Sequence, residues 1–174
     1  MKQLSVMLGL ALVLTGCAAT IPRSIREPAP GNITVAEARV AGVQLIGNRI
    51  RWGGTIAGVE NRATDTWIEI VERPLDGDGR PQQTDRTGGR FLAQVPGFLD
   101  PSIYANGRDI TVSGTLLAPQ SRKIGEYPYT FPVVKAQQVH LWPRPEPVRR
   151  YYYSPFWPDP WYPWGYPFPY GRYY

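Results

Sequence analysis

The sequence predicts a mainly β protein: a small OB-like barrel of five to six strands with one short N-terminal helix, followed by a disordered, aromatic and proline-rich tail. Three observations favour this fold class. Apolar and polar residues alternate in about five segments after residue 49, which is typical of strands with one buried face. The 174 residues include 19 prolines and 18 glycines, and because both interrupt helices, a helical bundle is excluded. The composition also changes sharply after residue 142.

The chain opens with the features of an export signal. Lys2 supplies a positive charge, and residues 4–13 form an apolar run. This run is too short to cross a bilayer but has the length of a signal-peptide core. We therefore predict a signal peptide over residues 1–16.

The end of this signal resembles a bacterial lipobox. In Leu14-Thr15-Gly16-Cys17, small residues precede the only cysteine of the chain. The resemblance implies a diacylglycerol on the Cys17 sulfur, cleavage after Gly16 and acylation of the new amine, which anchor a protein without spanning the membrane. The alternative, an ordinary buried cysteine, is disfavoured because the single cysteine occupies the one position that a lipobox requires. Ala18 stands where lipoproteins retained in the inner membrane typically carry Asp, and this implies sorting to the outer membrane.

The segment after the lipobox predicts a tether and then one helix. Residues 17–31 contain three prolines and no apolar periodicity, so we expect a flexible, lipidated tether. Thr34 and Glu37 suit the N-cap and N3 positions of a short helix over residues 34–40. Residues 42–48 are expected to form a strand or a turn.

The first two predicted strands carry most of the tryptophans of the domain. The first covers residues 50–59 and is expected to bend at a bulge at Gly53-Gly54. The second covers residues 66–72, and its alternation places two sets of side chains on opposite faces: Trp67, Glu69 and Val71 on one, and Ile68, Ile70 and Glu72 on the other. Glu69 is expected at a barrel end or paired with an arginine.

Three further strands complete the predicted barrel. A polar loop over residues 74–87 precedes a third strand over residues 89–95, which Pro96-Gly97 ends. An apolar loop or short helix then leads to a fourth strand over residues 109–117, and a fifth combines residues 127–129 and 133–142. This strand count and the bent first strand suit the OB architecture, but the pattern leaves strand order and pairing open.

The C-terminal segment differs in composition from the rest of the chain. Of the last 24 residues, 13 are aromatic, six are proline and none is aliphatic, so an ordinary core is excluded and an extended low-complexity segment is predicted. We therefore expect the folded domain over residues 32–142 and a tail over residues 143–174. The tail has three interpretations: docking through aromatic anchors, contact with the membrane interface, or simple disorder.

Several phrases together resemble one bacterial lipoprotein family, the Slp family, named for a starvation-inducible member. The resemblance is specific when the phrases are combined and weak for each alone. It covers the lipobox and nearly all of residues 33–142, and the tail lies outside the pattern. The phrases are Ile50-Arg51-Trp52-Gly53-Gly54-Thr55-Ile56, Thr66-Trp67-Ile68-Glu69-Ile70-Val71-Glu72-Arg73-Pro74-Leu75-Asp76, Gly89-Arg90-Phe91-Leu92, Gly97-Phe98-Leu99-Asp100-Pro101, Gly125-Glu126-Tyr127-Pro128-Tyr129 and His140-Leu141-Trp142.

The resemblance implies an outer-membrane anchor, induction in starvation or stationary phase, and a link to envelope stress such as acid. It carries no enzymatic activity and no catalytic residue. Cys17 is the one residue that matches a family position with a defined chemical role.

Polar motifs in the predicted domain favour structural roles over metal binding or catalysis. Asp76-Gly77-Asp78-Gly79 resembles the start of a calcium loop, but Arg80 and Thr87 stand where oxygen ligands are needed, so a polar turn is favoured. Glu69 and Glu72 point to opposite faces of a strand and are poor partners for two-carboxylate hydrolysis. The single histidine, His140, is expected to be an exposed or hydrogen-bonded structural residue.

The aromatic residues allow a binding interpretation beside a structural one. Trp52, Trp67, Phe91 and Trp142 are expected to fill the core, and the alternative is a stacking platform for a ligand. Candidate contacts with a ligand or partner are Trp52, Trp67, Trp157, Trp161 and Trp164.

The function predicted from these observations is structural or protective work in the cell envelope, by binding and not by catalysis. The alternatives are a carbohydrate- or peptidoglycan-binding module and, less favoured, a hydrolase, since no nucleophile–base pair and no metal-ligand set is visible. No cofactor is expected apart from the lipid on Cys17. The expected partners are outer-membrane lipid and envelope proteins or peptidoglycan. Nucleic acid is not expected, because the net charge of +5 comes from scattered arginines. The domain is expected to face the periplasm from the outer membrane.

Overall fold

The computed structural model describes residues 21–144. The chain divides into two units, Met1–Arg144 and Pro145–Tyr174. The predicted signal peptide, Cys17 and the aromatic tail, with Trp157, Trp161 and Trp164, lie outside the described residues. Within residues 21–144, no helix is both long and apolar enough to cross a membrane.

Seven regular elements and one 3-10 turn make up the described domain. Two short helices precede five strands in the chain. The elements are α1 (Arg23–Arg26), α2 (Val35–Ala41), a 3-10 helix (Gly42–Leu45), β1 (Arg49–Asn61), β2 (Asp65–Glu72), β3 (Arg90–Pro96), β4 (Asp109–Ile124) and β5 (Tyr127–Leu141).

The five strands close into a barrel in the order β1-β2-β3-β5-β4. β3 and β5 are parallel, and every other neighbouring pair is antiparallel. β1 closes the ring because its first half, residues 49–55, pairs with β4 and its second half, residues 54–61, pairs with β2. The predicted mainly β, OB-like barrel is confirmed, and it has five strands.

Glycines occupy the part of β1 where the strand changes partner. A Cβ atom on Gly54 would lie 1.9 Å from the carbonyl oxygen of Val71, and one on Gly53 would lie 2.8 Å from the carbonyl oxygen of Ile110. The bulge that we predicted at Gly53-Gly54 lies instead at Ala57, where the register with β2 shifts. The two glycines are needed for close backbone approach, and a sequence pattern alone does not separate this need from a bulge.

The barrel interior follows the predicted alternation of β2. Ile68 and Ile70 are fully buried in the main core. Trp52 and Phe91 meet there edge to face with ring centroids 5.3 Å apart. The interior is therefore filled with side chains, as is typical of small barrels.

Helix α2 forms where the sequence predicts it and contributes to this core. The Thr34 hydroxyl accepts the Glu37 backbone N–H at 3.2 Å, and the Glu37 carboxylate accepts the Thr34 backbone N–H at 2.7 Å, which completes a capping box. Val35 and Ala38 are buried against the barrel core. After α2, residues 42–48 were predicted to form a strand or a turn. They form the 3-10 helix Gly42–Leu45 followed by a turn.

A second hydrophobic cluster lies on the other face of β2, β3 and β5. Its buried members are Trp67, Leu92, Phe131 and Val133. Side chains alternate between the two faces of a strand, so these residues point away from the main core. Ile68, Ala93 and Val134, which lie next to them in sequence, point into it. Glu69 pairs with Arg90 across β2 and β3 at 2.6 Å, which confirms the predicted ion pair.

Strands β4 and β5 are longer than predicted and form one extended hairpin around Gly125. Between the pairs Leu117–Val133 and Gln120–Phe131 the register shifts. Pro119 and Pro132 lie within this irregularity, where the missing backbone N–H of proline interrupts no regular ladder. The sequence pattern placed a gap near these prolines because proline normally ends a strand.

The described part of the predicted tether packs against the barrel. Ile25 in α1 is fully buried. The Arg51 guanidinium in β1 donates to the carbonyl oxygens of Ile25, at 3.1 Å, and Arg26. The packed domain therefore begins near residue 22 and not at residue 32.

We expect that deletion of residues 145–174 leaves the barrel folded, because the five strands and both hydrophobic clusters are built from residues 21–144. The cut follows Arg144 because the Pro143 carbonyl oxygen accepts a hydrogen bond from Arg80 at 3.2 Å. In thermal unfolding followed by circular dichroism, the free energies of unfolding of the shortened and complete chains should agree within about 1 kcal/mol. A shortened chain that is unfolded at room temperature would show that tail aromatics belong to the core, each contributing about 3–5 kcal/mol.

Candidate functional site

The four candidate aromatic residues of the domain are core residues. Trp52 and Trp67 are 5% exposed, Trp142 is 6% exposed and Phe91 is fully buried. Each indole N–H has a partner within the protein: Trp52 donates to the Ile33 carbonyl at 2.7 Å, Trp67 to Asp65 at 3.1 Å and Trp142 to Thr111 at 2.9 Å. The structure therefore corrects the proposal of Trp52 and Trp67 as ligand contacts, because neither ring has an open face for a ligand to stack on.

The outer side of Trp67 is occupied by two arginines. The guanidinium carbons of Arg62 and Arg122 lie 4.4 and 5.1 Å from the ring centroid. Both arginines also pair with Glu60, at 2.8 and 3.2 Å. The hydrogen bond from Arg62 is the main cause that holds the pKa of Glu60 below its usual value. The two guanidinium groups therefore cover the outer side of the Trp67 ring by cation–π contact.

The loop between β2 and β3 is a polar turn, as predicted. The Asp76 carboxylate accepts the backbone N–H groups of Asp78, at 3.0 Å, and Arg80, at 2.8 Å. Gly79 has a positive φ of 85°, a conformation that glycine adopts readily. Among residues 21–144, no group of three or more His, Cys, Asp or Glu side chains could hold a metal ion.

A buried hydrogen-bond chain fixes this loop to the barrel. The Trp142 indole donates to the Thr111 hydroxyl, which donates to the Gly79 carbonyl at 2.6 Å. The loop that looked like a calcium site in the sequence is thus a structural element that covers one side of β4.

His140 lies on the outside of β5, as the alternation predicts. Its ring packs edge to face against Trp142 at 4.4 Å between centroids, while Val139 and Leu141 pack on the main core. Partial burial lowers the pKa of His140. Because the ring packs on the Trp142 indole, its arrangement is that of a structural histidine.

A groove lies between α1 and the start of β1. Its volume is about 420 Å³, and Arg23, Glu27 and Arg49 contribute the charged groups. Arg51, two residues after Arg49 in β1, holds α1 through hydrogen bonds to the carbonyl oxygens of Ile25 and Arg26. Burial lowers the pKa of Arg51, and Asp76 opposes this effect. Sequence analysis missed these arginines because no local pattern connects residues 23–26 to a strand that starts at residue 49.

Comparison with known proteins identifies the family of the chain. The model of the outer membrane lipoprotein Slp family matches residues 14–173. The chain belongs to this family. It is 34% identical over 177 residues to the outer membrane protein Slp of Escherichia coli K12, with 97% of this chain and 92% of that protein covered.

Two further comparisons complete this picture. The chain is 34% identical over 169 residues to the uncharacterized lipoprotein YeaY of the same strain, with 92% of this chain and 81% of that protein covered. A solved structure of a small single-stranded DNA-binding protein from Streptomyces coelicolor covers 55% of this chain and 94% of its own, with 15% identity and a TM-score of 0.36.

Membership of the Slp family confirms the resemblance found in the sequence and the location in the outer membrane. The protein is an envelope lipoprotein. The family match runs to residue 173, so the expectation that the aromatic tail lies outside the shared pattern is wrong. The tail was missed because a segment of repeated Tyr, Trp and Pro offers composition but no distinctive spacing to recognise.

Proposed function

We propose that this Slp-family lipoprotein has a structural or protective role in the cell envelope and acts by binding, with its β domain facing the periplasm. The observation that carries the proposal is the lipobox cysteine, Cys17, followed within a few residues by a packed domain. A protein built in this way keeps a folded surface at the membrane for as long as its acyl chains remain inserted.

The filled barrel supports binding through the outer surface and the tail. The interior holds Trp52, Ile68, Ile70 and Phe91, packed side by side, so a ligand does not fit inside. Surface loops, the groove beside α1 and the aromatic tail are the sites that can meet a partner.

The side-chain chemistry of the described residues supports binding over catalysis. His140 packs against Trp142, Glu69 pairs with Arg90, and Glu60 pairs with two arginines. Each candidate acid or base in these groups is therefore occupied in a structural contact, and none is paired with a nucleophile as acyl- or glycosyl-transfer chemistry requires.

Outer-membrane sorting is proposed to depend on Ala18. In the Ala18→Asp variant we expect the protein to move to the inner-membrane fraction, because Asp after the lipidated cysteine is typical of retained lipoproteins. Sucrose-gradient separation of the two membranes measures the change, and Ala18→Ser serves as a small, uncharged control that should stay in the outer membrane. An Ala18→Asp protein that remains entirely in the outer membrane would contradict the proposed sorting rule.

The aromatic tail is proposed as the part that contacts other envelope components. With 13 aromatics in 24 residues, it has the composition of a surface that is covered by a partner. Affinity capture from intact cross-linked envelopes, with the complete chain and with a Trp157→Ala/Trp161→Ala/Trp164→Ala variant, tests this proposal. Envelope proteins lost with the variant would support a protein partner. Loss of co-sedimentation with purified peptidoglycan would favour the carbohydrate-binding alternative, and unchanged capture and co-sedimentation would contradict a role for the tail.

A further inference from the structure

We infer that the face formed by Arg23, Arg26 and Arg49 docks on anionic phospholipid headgroups and that α1 holds the barrel in one orientation on the membrane. The inference rests on the proposed lipid anchor at Cys17. Beyond the anchor, it names a surface of the domain that contacts the membrane and the class of lipid that this surface binds.

Helix α1 is fixed to the barrel by three contacts. Ile25 is fully buried, and the Arg51 guanidinium donates to the carbonyl oxygens of Ile25 and Arg26. Gly79 also approaches closely, since a Cβ atom there would lie 2.2 Å from the Ile25 carbonyl oxygen. The segment around α1 is thus part of the folded domain, although its proline-rich sequence predicts a flexible tether.

The fixed helix leaves a short connection to the lipid. Cys17 and Arg23 are separated by six residue steps, which span about 20 Å when fully extended. A domain of this size has a diameter of about 35 Å. The connection is therefore shorter than the domain is wide, and the barrel surface around α1 must lie next to the bilayer.

The surface held there is positively charged. Arg23, Arg26 and Arg49 are exposed, and Arg23 and Arg49 line the same groove of about 420 Å³. Glu27 is the acidic group of that groove and lies 3.7 Å from Arg23, so the net charge of the face remains positive. Each arginine near an anionic membrane surface strengthens binding about fivefold. The phosphate and carbonyl oxygens of the headgroups suit guanidinium donors.

The test uses the complete lipidated protein reconstituted into vesicles. A fluorophore is attached at Ser24→Cys beside α1 or, as the distant reference, at Glu126→Cys in the turn between β4 and β5. Quenchers on the lipid headgroups then report which side of the barrel lies on the membrane. The vesicles contain phosphatidylcholine alone or phosphatidylcholine with phosphatidylglycerol.

With anionic vesicles, we expect strong quenching at position 24 and weak quenching at position 126. The Arg23→Ser/Arg26→Ser/Arg49→Ser variant should lower the ratio of docked to undocked protein about a hundredfold. The control Arg39→Ser/Arg86→Ser/Lys123→Ser removes the same charge from exposed positions elsewhere and should leave quenching unchanged.

Three results would overturn the inference. They are equal quenching at both positions, equal loss in the two triple variants, and release of the face by inorganic phosphate at constant ionic strength, which would indicate a site for a free anion. Failure of the underlying anchor is distinguishable, because an unlipidated protein would not remain with phosphatidylcholine vesicles at all.

Discussion

Replacing Gly54 with alanine is expected to destabilise the barrel by about 3 kcal/mol or more, a large part of the roughly 5–15 kcal/mol typical of a domain. The added Cβ would lie 1.9 Å from the Val71 carbonyl oxygen and 2.9 Å from the Glu72 Cα. Both neighbours are backbone atoms, so no side chain can turn away, and β1 and β2 must separate. Urea unfolding followed by tryptophan fluorescence measures the loss.

Gly58→Ala in the same strand is the matched control. The nearest heavy atom to its Cβ would be Glu69 Cβ at 4.0 Å, which is an ordinary contact. The free energy of unfolding of Gly58→Ala should remain within about 1 kcal/mol of that of the natural protein, since alanine also lowers the conformational entropy of the unfolded chain. Equal losses in the two variants, or an unaffected Gly54→Ala protein, would contradict the close packing of β1 on β2.

Replacing Cys17 with serine is expected to abolish lipidation and membrane retention. The lipobox reaction alkylates a sulfur atom, and the serine hydroxyl does not take its place. Without acyl chains, the protein loses about 0.8 kcal/mol of membrane binding for every buried CH₂ group. Incorporation of labelled palmitate, together with the fraction of protein extracted from membranes by high salt, measures both effects.

Thr20→Ser, which lies outside the lipobox, is the control for this experiment and should incorporate palmitate like the natural protein. Palmitate incorporation into Cys17→Ser at the natural level would refute the assignment of Cys17 as the anchor. Salt-resistant membrane binding without palmitate would show that the domain is held by other contacts.

The sequence predicted those features of the fold that depend on only a few neighbouring residues. Alternation in β2 placed Ile68 and Ile70 in the core and Trp67 on the opposite face, and the structure confirms this arrangement. The spacing of Thr34 and Glu37 predicted the capping box of α2, which is also present. Both patterns depend on the geometry of a single element.

Features that depend on distant parts of the chain were not predictable in this way. Arg51 holds α1 across 25 positions of sequence, so the tether was predicted to be free where it is packed. The bulge at Ala57 depends on the register with β2, and Pro119 and Pro132 are tolerated because they lie where the register between β4 and β5 shifts. Alternation also does not tell a buried tryptophan from an exposed one, so Trp52 and Trp67 remained open as ligand contacts.

The mass of the N-terminal peptide of protein purified from the outer membrane tests the central claim most directly, since that claim is a packed β domain carried by a lipid anchor. We expect the mature chain to begin at Cys17, with a diacylglycerol on sulfur and an acyl group on the new amine. A chain that begins at another residue, or a Cys17 peptide with an unmodified thiol, would contradict the account.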